Sequence, residues 1–460
     1  MDHSRINALA LHIHAGARCH LIGIGGVSMA PLAEVLLGLG LELTGSDISE
    51  SAVVDSLTAK GIRVAIGHAA ENVEGAEFVI RTAAAHDDNV EIVRARELGI
   101  PVFERAEAWG CLMRGYKNAL CVSGTHGKTT VTSMCTHILM AADRDPTVMI
   151  GGTLPLLHSG YRVGKGDAIV LESCEYYNSF LSFFPTEAVI LDIEADHLDF
   201  FKDLDDIKAS FRRFALLTPE DRGVVIANRD DPNVMDVVDG IGRRVVTFGL
   251  HDDADITAHN VVRRRDGTDF DLVRGGEKLA AVSLFVPGEH NLKNALAAAA
   301  ACLTLGVTPG AVAAGLKRFT GAARRFERKG TMGGIPVYDD YAHHPGELHA
   351  LLDMALALGY ERVLVAFQPH TYSRTKALFD DFAAELARPD KTYLAEIYAA
   401  RETNTEGISS ADLAAQVPGA VFCESFEELE DRLRADARPG DLIITVGAGN
   451  IYKVGEALVD

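Results

Sequence analysis

Residues Ala119–Thr130 read Ala-Leu-Cys-Val-Ser-Gly-Thr-His-Gly-Lys-Thr-Thr. The apolar run Ala119–Val122 has the composition of a buried strand, and it passes directly into Gly124-Thr125-His126-Gly127-Lys128-Thr129. A strand turning through glycines into a helix that begins Gly-Lys-Thr is the arrangement of a phosphate loop. The glycines let successive backbone N–H groups face the β- and γ-phosphates, Lys128 brings a mobile positive charge, and the Thr129 hydroxyl suits Mg2+. The strict GxxxxGK[ST] spacing would put its first glycine at Val122; here it stands at Gly124. With a strand before it and a helical pattern after it, the segment predicts an ATP or GTP site in a parallel α/β sheet.

Two apolar runs downstream end in candidate metal ligands. Ala168–Leu171 leads to Glu172-Ser173-Cys174-Glu175-Tyr176, and Ala188–Ile193 leads to Glu194-Ala195-Asp196-His197-Leu198-Asp199. In a parallel sheet such strand ends fall on the carboxyl edge beside the loop. An Asp/Glu/His cluster there suits Mg2+ held mainly through oxygen.

Working outward, two further segments read as fresh starts. The strand Cys19–Ile22 runs into Gly23-Ile24-Gly25-Gly26 and a helix over Ser28–Leu39, and Asp47 ends the next strand, Leu41–Ser46. This is where a dinucleotide fold places a pyrophosphate turn and a ribose-binding acid. The spacing is Gly-x-Gly-Gly with Met29 closing it, so the turn fits a nucleotide diphosphate without saying which, and a tight turn with no ligand stays open. The third start follows Gly321-Ala322-Ala323-Arg324-Arg325-Phe326, after which strands at Pro336–Tyr338, Val363–Phe367, Thr392–Ile397 and Leu442–Val446 alternate with helices. Boundaries near 107 and 322 give three α/β domains, 1–107, 108–321 and 322–460, as 460 residues at roughly 150 per domain would suggest. The outer two read as Rossmann-like, and the central one as a P-loop domain around a mostly parallel sheet.

Composition excludes several classes. A net charge of −21 argues against a surface built for nucleic-acid backbone. No apolar stretch is long enough to cross a bilayer, and the N-terminus lacks a signal-peptide core, so a cytoplasmic chain without membrane insertion is expected. Seven scattered cysteines without a CxxC predict buried, reduced thiols.

The motifs Gly124–Thr130, Glu194–Asp199, Gly288-Glu-His-Asn-Leu-Lys-Asn294, Arg324-Arg-Phe326 and Asp339-Asp-Tyr-Ala-His-His-Pro345 occur in this order. In that order they resemble the Mur ligases, ATP-dependent amide-forming enzymes of peptidoglycan precursor synthesis. Gly23–Met29, Pro369-His-Thr-Tyr-Ser-Arg-Thr375 and Val446-Gly-Ala-Gly-Asn450 look like those of the branch that adds the first amino acid. The resemblance implies ligation of L-alanine to the carboxylate of UDP-N-acetylmuramate, with ATP as co-substrate and Mg2+ as cofactor. A sibling activity, joining a muropeptide tripeptide to the same sugar nucleotide in cell-wall recycling, shares the first-domain and P-loop motifs. An NAD-dependent oxidoreductase has no need of the P-loop, and a binding protein without ligation would not couple phosphate release to both substrates.

Residue by residue, the resemblance gives the UDP-sugar to Gly23, Ile24, Gly25, Gly26, Val27, Ser28, Asp47 and His68. It gives ATP to Gly124, Thr125, His126, Gly127, Lys128, Thr129 and Thr130, with His290 and Asn294 toward the adenine, Arg325 toward the phosphates and Asp340 toward the ribose. Thr129 and Glu172 would ligate one Mg2+ and His197 a second, while Tyr341, His343 and Arg374 would face the amino acid. Lys128, His197, Arg325 and His343 are the expected catalytic residues, with His343 or His197 as candidates to deprotonate the amine. A monomer or homodimer is expected. Two departures from the family pattern stand out. Where other members carry a modified lysine the count reaches Phe211, with Lys208 nearby, as in the L-alanine-adding branch. Glu172-Ser-Cys-Glu-Tyr-Tyr replaces the commoner Glu-Ala-Asp-Glu-Ser-Asp.

Overall fold

The computed structural model describes residues 4–198, 200–400 and 402–459. Its strands form three sheets. β1 (Arg18–Ile22), β2 (Glu42–Asp47), β3 (Arg63–Ile66), β4 (Phe78–Arg81) and β5 (Val102–Glu104) make the first, in the order β3-β2-β1-β4-β5. All its neighbouring strands pair in parallel. The strand order reverses at β1, so the glycine turn after Ile22 occupies the crevice where open α/β sheets bind ligands.

The second sheet has ten strands: β6 (Asn118–Ser123), β7 (Thr147–Leu154), β8 (Ser159–Arg162), β9 (Ala168–Glu172), β10 (Glu187–Ile190), β11 (Val224–Asn228), β12 (Arg244–Phe248), β13 (Ile256–Arg264), β14 (Gly267–Arg274) and β15 (Glu277–Leu284). β6 lies between β9 and β10, parallel to both. These strands and β11 are almost continuously buried, the pattern of a sheet covered on both faces. The third sheet, β16 (Glu327–Met332), β17 (Ile335–Asp340), β18 (Arg362–Phe367), β19 (Lys391–Leu394), β20 (Val421–Phe422) and β21 (Asp441–Val446), runs β16-β17-β21-β18-β19-β20. Among the described residues, only β16 is antiparallel to its neighbour there.

The chain divides into two compact units, one of Met1–Val262, Asp269–Leu284 and Lys293–Phe319, the other of Arg263–Thr268, Phe285–Leu292 and Thr320–Asp460. In the first unit, small residues bring helices onto the phosphate-loop helix, Lys128–Ala141. A Cβ on Gly315 of helix Pro309–Arg318 would lie 2.4 Å from the Ile138 Cα, so only glycine permits that approach. The predicted Ala-rich segment Ala295–Ala301 is fully buried inside helix Glu289–Thr304. Among the described residues no helix is long and apolar enough to cross a membrane. Five cysteines are buried free thiols as read from sequence, whereas Cys111 is half-buried and Cys174 exposed.

Two predicted strands stop early. The run Ala188–Ile193 is extended only to Ile190. Beyond it the backbone partners are largely side chains: Asn228 Nδ2 donates to Leu191 O (2.8 Å), Asn233 Nδ2 to Ile193 O (2.9 Å), and Ile193 N to Asp231 Oδ2 (3.1 Å). The run Thr392–Ile397 ends as a strand at Leu394, and Ile397 N donates instead to Glu396 Oε1 (2.8 Å).

One buried acid sets a pH dependence. Burial lifts the Glu187 carboxyl from an ordinary 4.5 to about 8, opposed only in part by the Thr304 hydroxyl and Arg244. A carboxyl raised on folding contributes stability that is complete below its unfolded value and is lost as pH rises through the folded one. Glu187→Gln should therefore match the wild type near pH 4 and melt at an increasingly higher temperature than it as pH rises to about 8. A melting-temperature difference that stays flat across that range would contradict the assignment.

Candidate active site

The phosphate loop is built on two glycines that nothing else can replace without strain. Gly124 has φ +148° and Gly127 φ +78°. A Cβ would lie 2.8 Å from Leu191 Cβ at the first and 2.7 Å from Asn294 Oδ1 at the second. Gly127 then opens helix Lys128–Ala141. Lys128 Nζ donates to the carbonyls of Gly124 and Thr125 (3.0 Å for the latter) and lies 3.3 Å from Glu175 Oε2. Burial pulls its ammonium down, but Glu175, with Glu172 and Asp192 behind it, reverses that and raises it above the ordinary value.

Asp192 holds the other side of the loop. Its carbonyl accepts from Thr125 N (3.2 Å) and its Oδ1 from His126 N (2.8 Å). Burial pushes this carboxyl up to about 6 against the opposing pull of His126 and Lys128. Glu194 completes the tie, its N donating to Thr125 Oγ1 (2.9 Å) and its carboxylate lying 3.3 Å from His126 Nε2.

At the start of the helix, Thr129 Oγ1 donates to Glu172 Oε1 (3.1 Å), and Gly151 N donates to Glu172 Oε2 (2.6 Å). A hydroxyl and a carboxylate meeting beside a phosphate loop are hard oxygen donors of the kind Mg2+ selects. His197, in a left-handed conformation (φ +52°), stacks on Tyr176 at 4.3 Å. Its Nε2 lies 3.9 Å from Glu175 Oε1 and 3.8 Å from Asp196 Oδ2. Asp199 lies outside the described residues. Thr130 is buried in the helix, and Lys208 is paired with Asp236. Phe211, at the place of the modified lysine, is buried with its ring 5.4 Å from Phe180.

In the first sheet, Asp47 Oδ2 accepts from Gly25 N (2.9 Å), so the predicted ribose acid also shapes the glycine turn. Ile24 is buried in the core, which leaves only its backbone to a ligand, whereas Val27 is exposed. The Ser28 hydroxyl accepts from Arg105, and its carbonyl from Trp109 Nε1 (3.1 Å). His68 Nδ1 lies 3.0 Å from Glu91 Oε2. That buried carboxylate also accepts from Ser46 Oγ (2.7 Å) and Asn72 Nδ2 (2.5 Å). Burial would raise it, yet these bonds and His20 hold it at about 2.

In the second unit, Asp340 accepts from Phe326 N (2.7 Å) and Ala342 N (2.8 Å), and burial pushes its carboxyl up to about 6 despite Arg325. Arg325 lies 5.5 Å from the Tyr341 ring centre, and His290 is lowered to about 4 by burial and by Arg325. His343 Nδ1 is 3.0 Å from Tyr341 O and 3.1 Å from Glu347 Oε2. Its ring meets His370 at 5.8 Å, and Arg374 donates to His370 Nδ1 (3.3 Å). Tyr341, His343 and Arg374 therefore form one connected group, joined through His370, which sequence reasoning had quoted but not assigned.

Sequence reasoning also passed over Asp192, Glu175 as the Lys128 partner, Glu91 and Arg324. Arg324 ties Asp339 (3.0 Å) to the carbonyls of Gly447 and Gly449. Each of these is a buried or half-buried charge whose partners are distant in the chain, so even the apolar runs and the motif that hold Asp192, Glu175 and Arg324 do not reveal what they pair with.

Three family models cover most of the chain. The Mur ligase family catalytic domain matches residues 18–117, the Mur ligase middle domain residues 122–302, and the Mur ligase glutamate ligase domain residues 324–449. The UDP-N-acetylmuramate--L-alanine ligase of Caldanaerobacter subterraneus subsp. tengcongensis is 45% identical over 448 residues, 96% of this chain and 97% of the relative. That of Clostridium novyi is 46% identical over 447 residues, with the same coverage of 96% and 97%. Among solved structures, the UDP-N-acetylmuramate-alanine ligase MurC of Thermotoga maritima superposes with a TM-score of 0.79 at 30% identity, covering 96% of this chain and 98% of that one. A murein peptide ligase from Psychrobacter arcticus shares the fold, with a TM-score of 0.72 at 23% identity and coverage of 96% and 98%. On this agreement of models, relatives and fold, the chain belongs to the Mur ligase family.

Proposed function

We propose that the chain joins L-alanine to the carboxylate of UDP-N-acetylmuramate at the expense of ATP. The observation that carries this reading is the phosphate loop with Lys128 set against Glu175 beside the Thr129–Glu172 pair. It stands in a chain 44–47% identical to proteins named for that ligation. The same identities favour L-alanine over a tripeptide as the incoming amine.

A carboxylate does not accept an amine directly, because oxide is too poor a leaving group. Transfer of the γ-phosphoryl group to the carboxylate gives an acyl phosphate and ADP; the amine then adds and phosphate leaves. The first step brings two anions together, and preorganised positive charge is what lowers its barrier. In the first unit Lys128 supplies that charge, and the loop N–H groups of Gly124–Thr130 cradle the phosphates. Thr129 and Glu172 fit one Mg2+ and His197 a second, and bound Mg2+ neutralises charge on the phosphates and on the carboxylate. The Gly23–Ser28 turn, Asp47 and His68 are assigned to the UDP-sugar, and Asn294 to the nucleotide base. The second unit carries the rest: His290, Arg325 and Asp340 for nucleotide, and Tyr341, His343 and Arg374 for the amino acid. Arginine suits Arg374's task because its planar fork binds a carboxylate through two parallel N–H bonds.

The test is mass spectrometry of UDP-N-acetylmuramate incubated with ATP, Mg2+ and, separately, L-alanine, glycine, L-serine or a muropeptide tripeptide. The expected product carries one alanyl residue, and preferential turnover of the tripeptide would replace this reading with the recycling one. With hydroxylamine in place of the amine a hydroxamate should accumulate. ADP formation without it would exclude the acyl phosphate.

A further inference from the structure

We propose that Cys174, Glu175 and His197 form a three-donor site for a thiophilic divalent cation, with Zn2+ as the ligand it fits best. One ligand atom from each residue lies within 4.8 Å of the other two. His197 Nε2 and Glu175 Oε1 are already 3.9 Å apart. Zinc with Zn–S near 2.3 Å and Zn–N and Zn–O near 2.0–2.2 Å needs tetrahedral donors about 3.3–3.8 Å apart, so closure takes only small side-chain movements.

The two oxygens of Glu175 face different partners. Oε2 takes Lys128 at 3.3 Å, while Oε1 faces the histidine, so cation binding does not require Lys128 to be released. Glu175 is 3% exposed, which fixes its position, whereas Cys174 is exposed and gives a cation a route in. The thiol is held in place by a hydrogen bond from the Tyr176 backbone, and the His197 ring by its stack on Tyr176. Asp196 Oδ2, 3.8 Å from His197 Nε2, adds negative charge at the rim. Around the group stand Lys128 and Arg105 as positive charges and Glu172 as a further negative one.

The donor set is selective. Mg2+ takes hard oxygen ligands and gains nothing from sulfur, whereas thiolate and imidazole together favour Zn2+ and Co2+. Binding forms the metal–sulfur bond and releases the thiol proton to solvent. Three protein donors leave a fourth position open, as in zinc sites that accept an exogenous ligand. The donor geometry stands apart from the ligase reading; only the inhibition described next rests on it, through His197.

The experiment is a titration of the full chain, free of nucleotide, with Co2+ alone. A near-ultraviolet thiolate-to-Co2+ charge-transfer band should grow to one equivalent, disappear on addition of Zn2+, and be absent from both Cys174→Ser and Cys174→Ala. Cys111→Ser, which removes the half-buried thiol elsewhere, should retain it. No band in the wild-type chain, or an unchanged band in Cys174→Ser, would overturn the site. In ligation assays with Mg2+ in excess, Zn2+ should inhibit, and Cys174→Ser should raise the half-inhibiting Zn2+ concentration at least about tenfold. A Cys174-dependent band without inhibition would keep the metal site and remove His197 from the ligation machinery instead.

Discussion

Lys128→Ala should lower ligation by at least about 10²–10³-fold while leaving UDP-sugar affinity nearly unchanged, because removing one preorganised charge from a phosphoryl-transfer site costs that much. The UDP-sugar is assigned to a different sheet, whose glycine turn is held by Asp47 and Arg105 and not by the phosphate loop. A second effect has to be separated from the first. Glu175 is buried, and deleting its partner leaves a carboxylate without compensation, which in comparable buried pairs costs about 3–5 kcal/mol. The double variant Lys128→Ala/Glu175→Gln should therefore recover thermal stability but not turnover. Near-normal turnover in purified Lys128→Ala would remove the loop from the chemistry. Recovery of activity in the double variant would mean that the single variant failed through misfolding alone.

Gly110→Ala should be among the most damaging single-methyl additions in the first unit. Gly110 lies in helix Arg105–Met113, and a Cβ there would sit 1.9 Å from the Ser182 carbonyl oxygen and 3.0 Å from its carbon. Those atoms are backbone, so no side chain can swing aside; the helix must move. Overpacking of this kind costs about 3 kcal/mol. The same helix carries Arg105 and Trp109, which hold Ser28 at the end of the glycine turn. The shift should thus weaken UDP-sugar binding as well as lower the melting temperature. Gly38→Ala, where a Cβ meets nothing within 4 Å, serves as the control and should leave both unchanged or improve stability slightly. Equal melting temperatures for the two variants would show that the close approach at Gly110 is not rigid.

The fold was legible wherever one strand's own residues decide its state. β1, β6, β9, β18 and β21 fall within a residue or two of the runs read from sequence, because a strand buried on both faces is a continuous apolar word. The failures at Leu191–Ile193 and Ala395–Ile397 have the opposite cause. At Leu191–Ile193 the backbone is paired to Asn and Asp side chains from other segments, and at Ile397 to the side chain of its own neighbour Glu396, so apolar character alone does not mark where the ladder ends. The site divides in the same way. Gly124, Gly127, Lys128 and Thr129 stand together in sequence and were found together. Asp192 and Glu175, which hold that loop, are 64 and 47 residues from Lys128. They become visible only when β9 and β10 flank β6. Glu91 is a stronger case: no motif surrounds it, and its importance rests on Ser46, Asn72 and His68, which reach it from three other segments.

The way Asp192 and Glu175 satisfy the phosphate loop has a thermodynamic consequence. The His126 N–H and the Lys128 ammonium, two donors suited to an incoming triphosphate, already have protein acceptors. Arrival of nucleotide is then largely a substitution of one set of anionic oxygens for another. A substitution returns little net enthalpy per contact, since each bond gained replaces one lost. It also costs little ordering, because the loop is in shape before the ligand comes. On the proposed assignment of this loop to nucleotide, the carboxylates stand where phosphate oxygens would. Nucleotide discrimination would then lie less in how tightly the loop grips than in which anion can displace its two internal occupants.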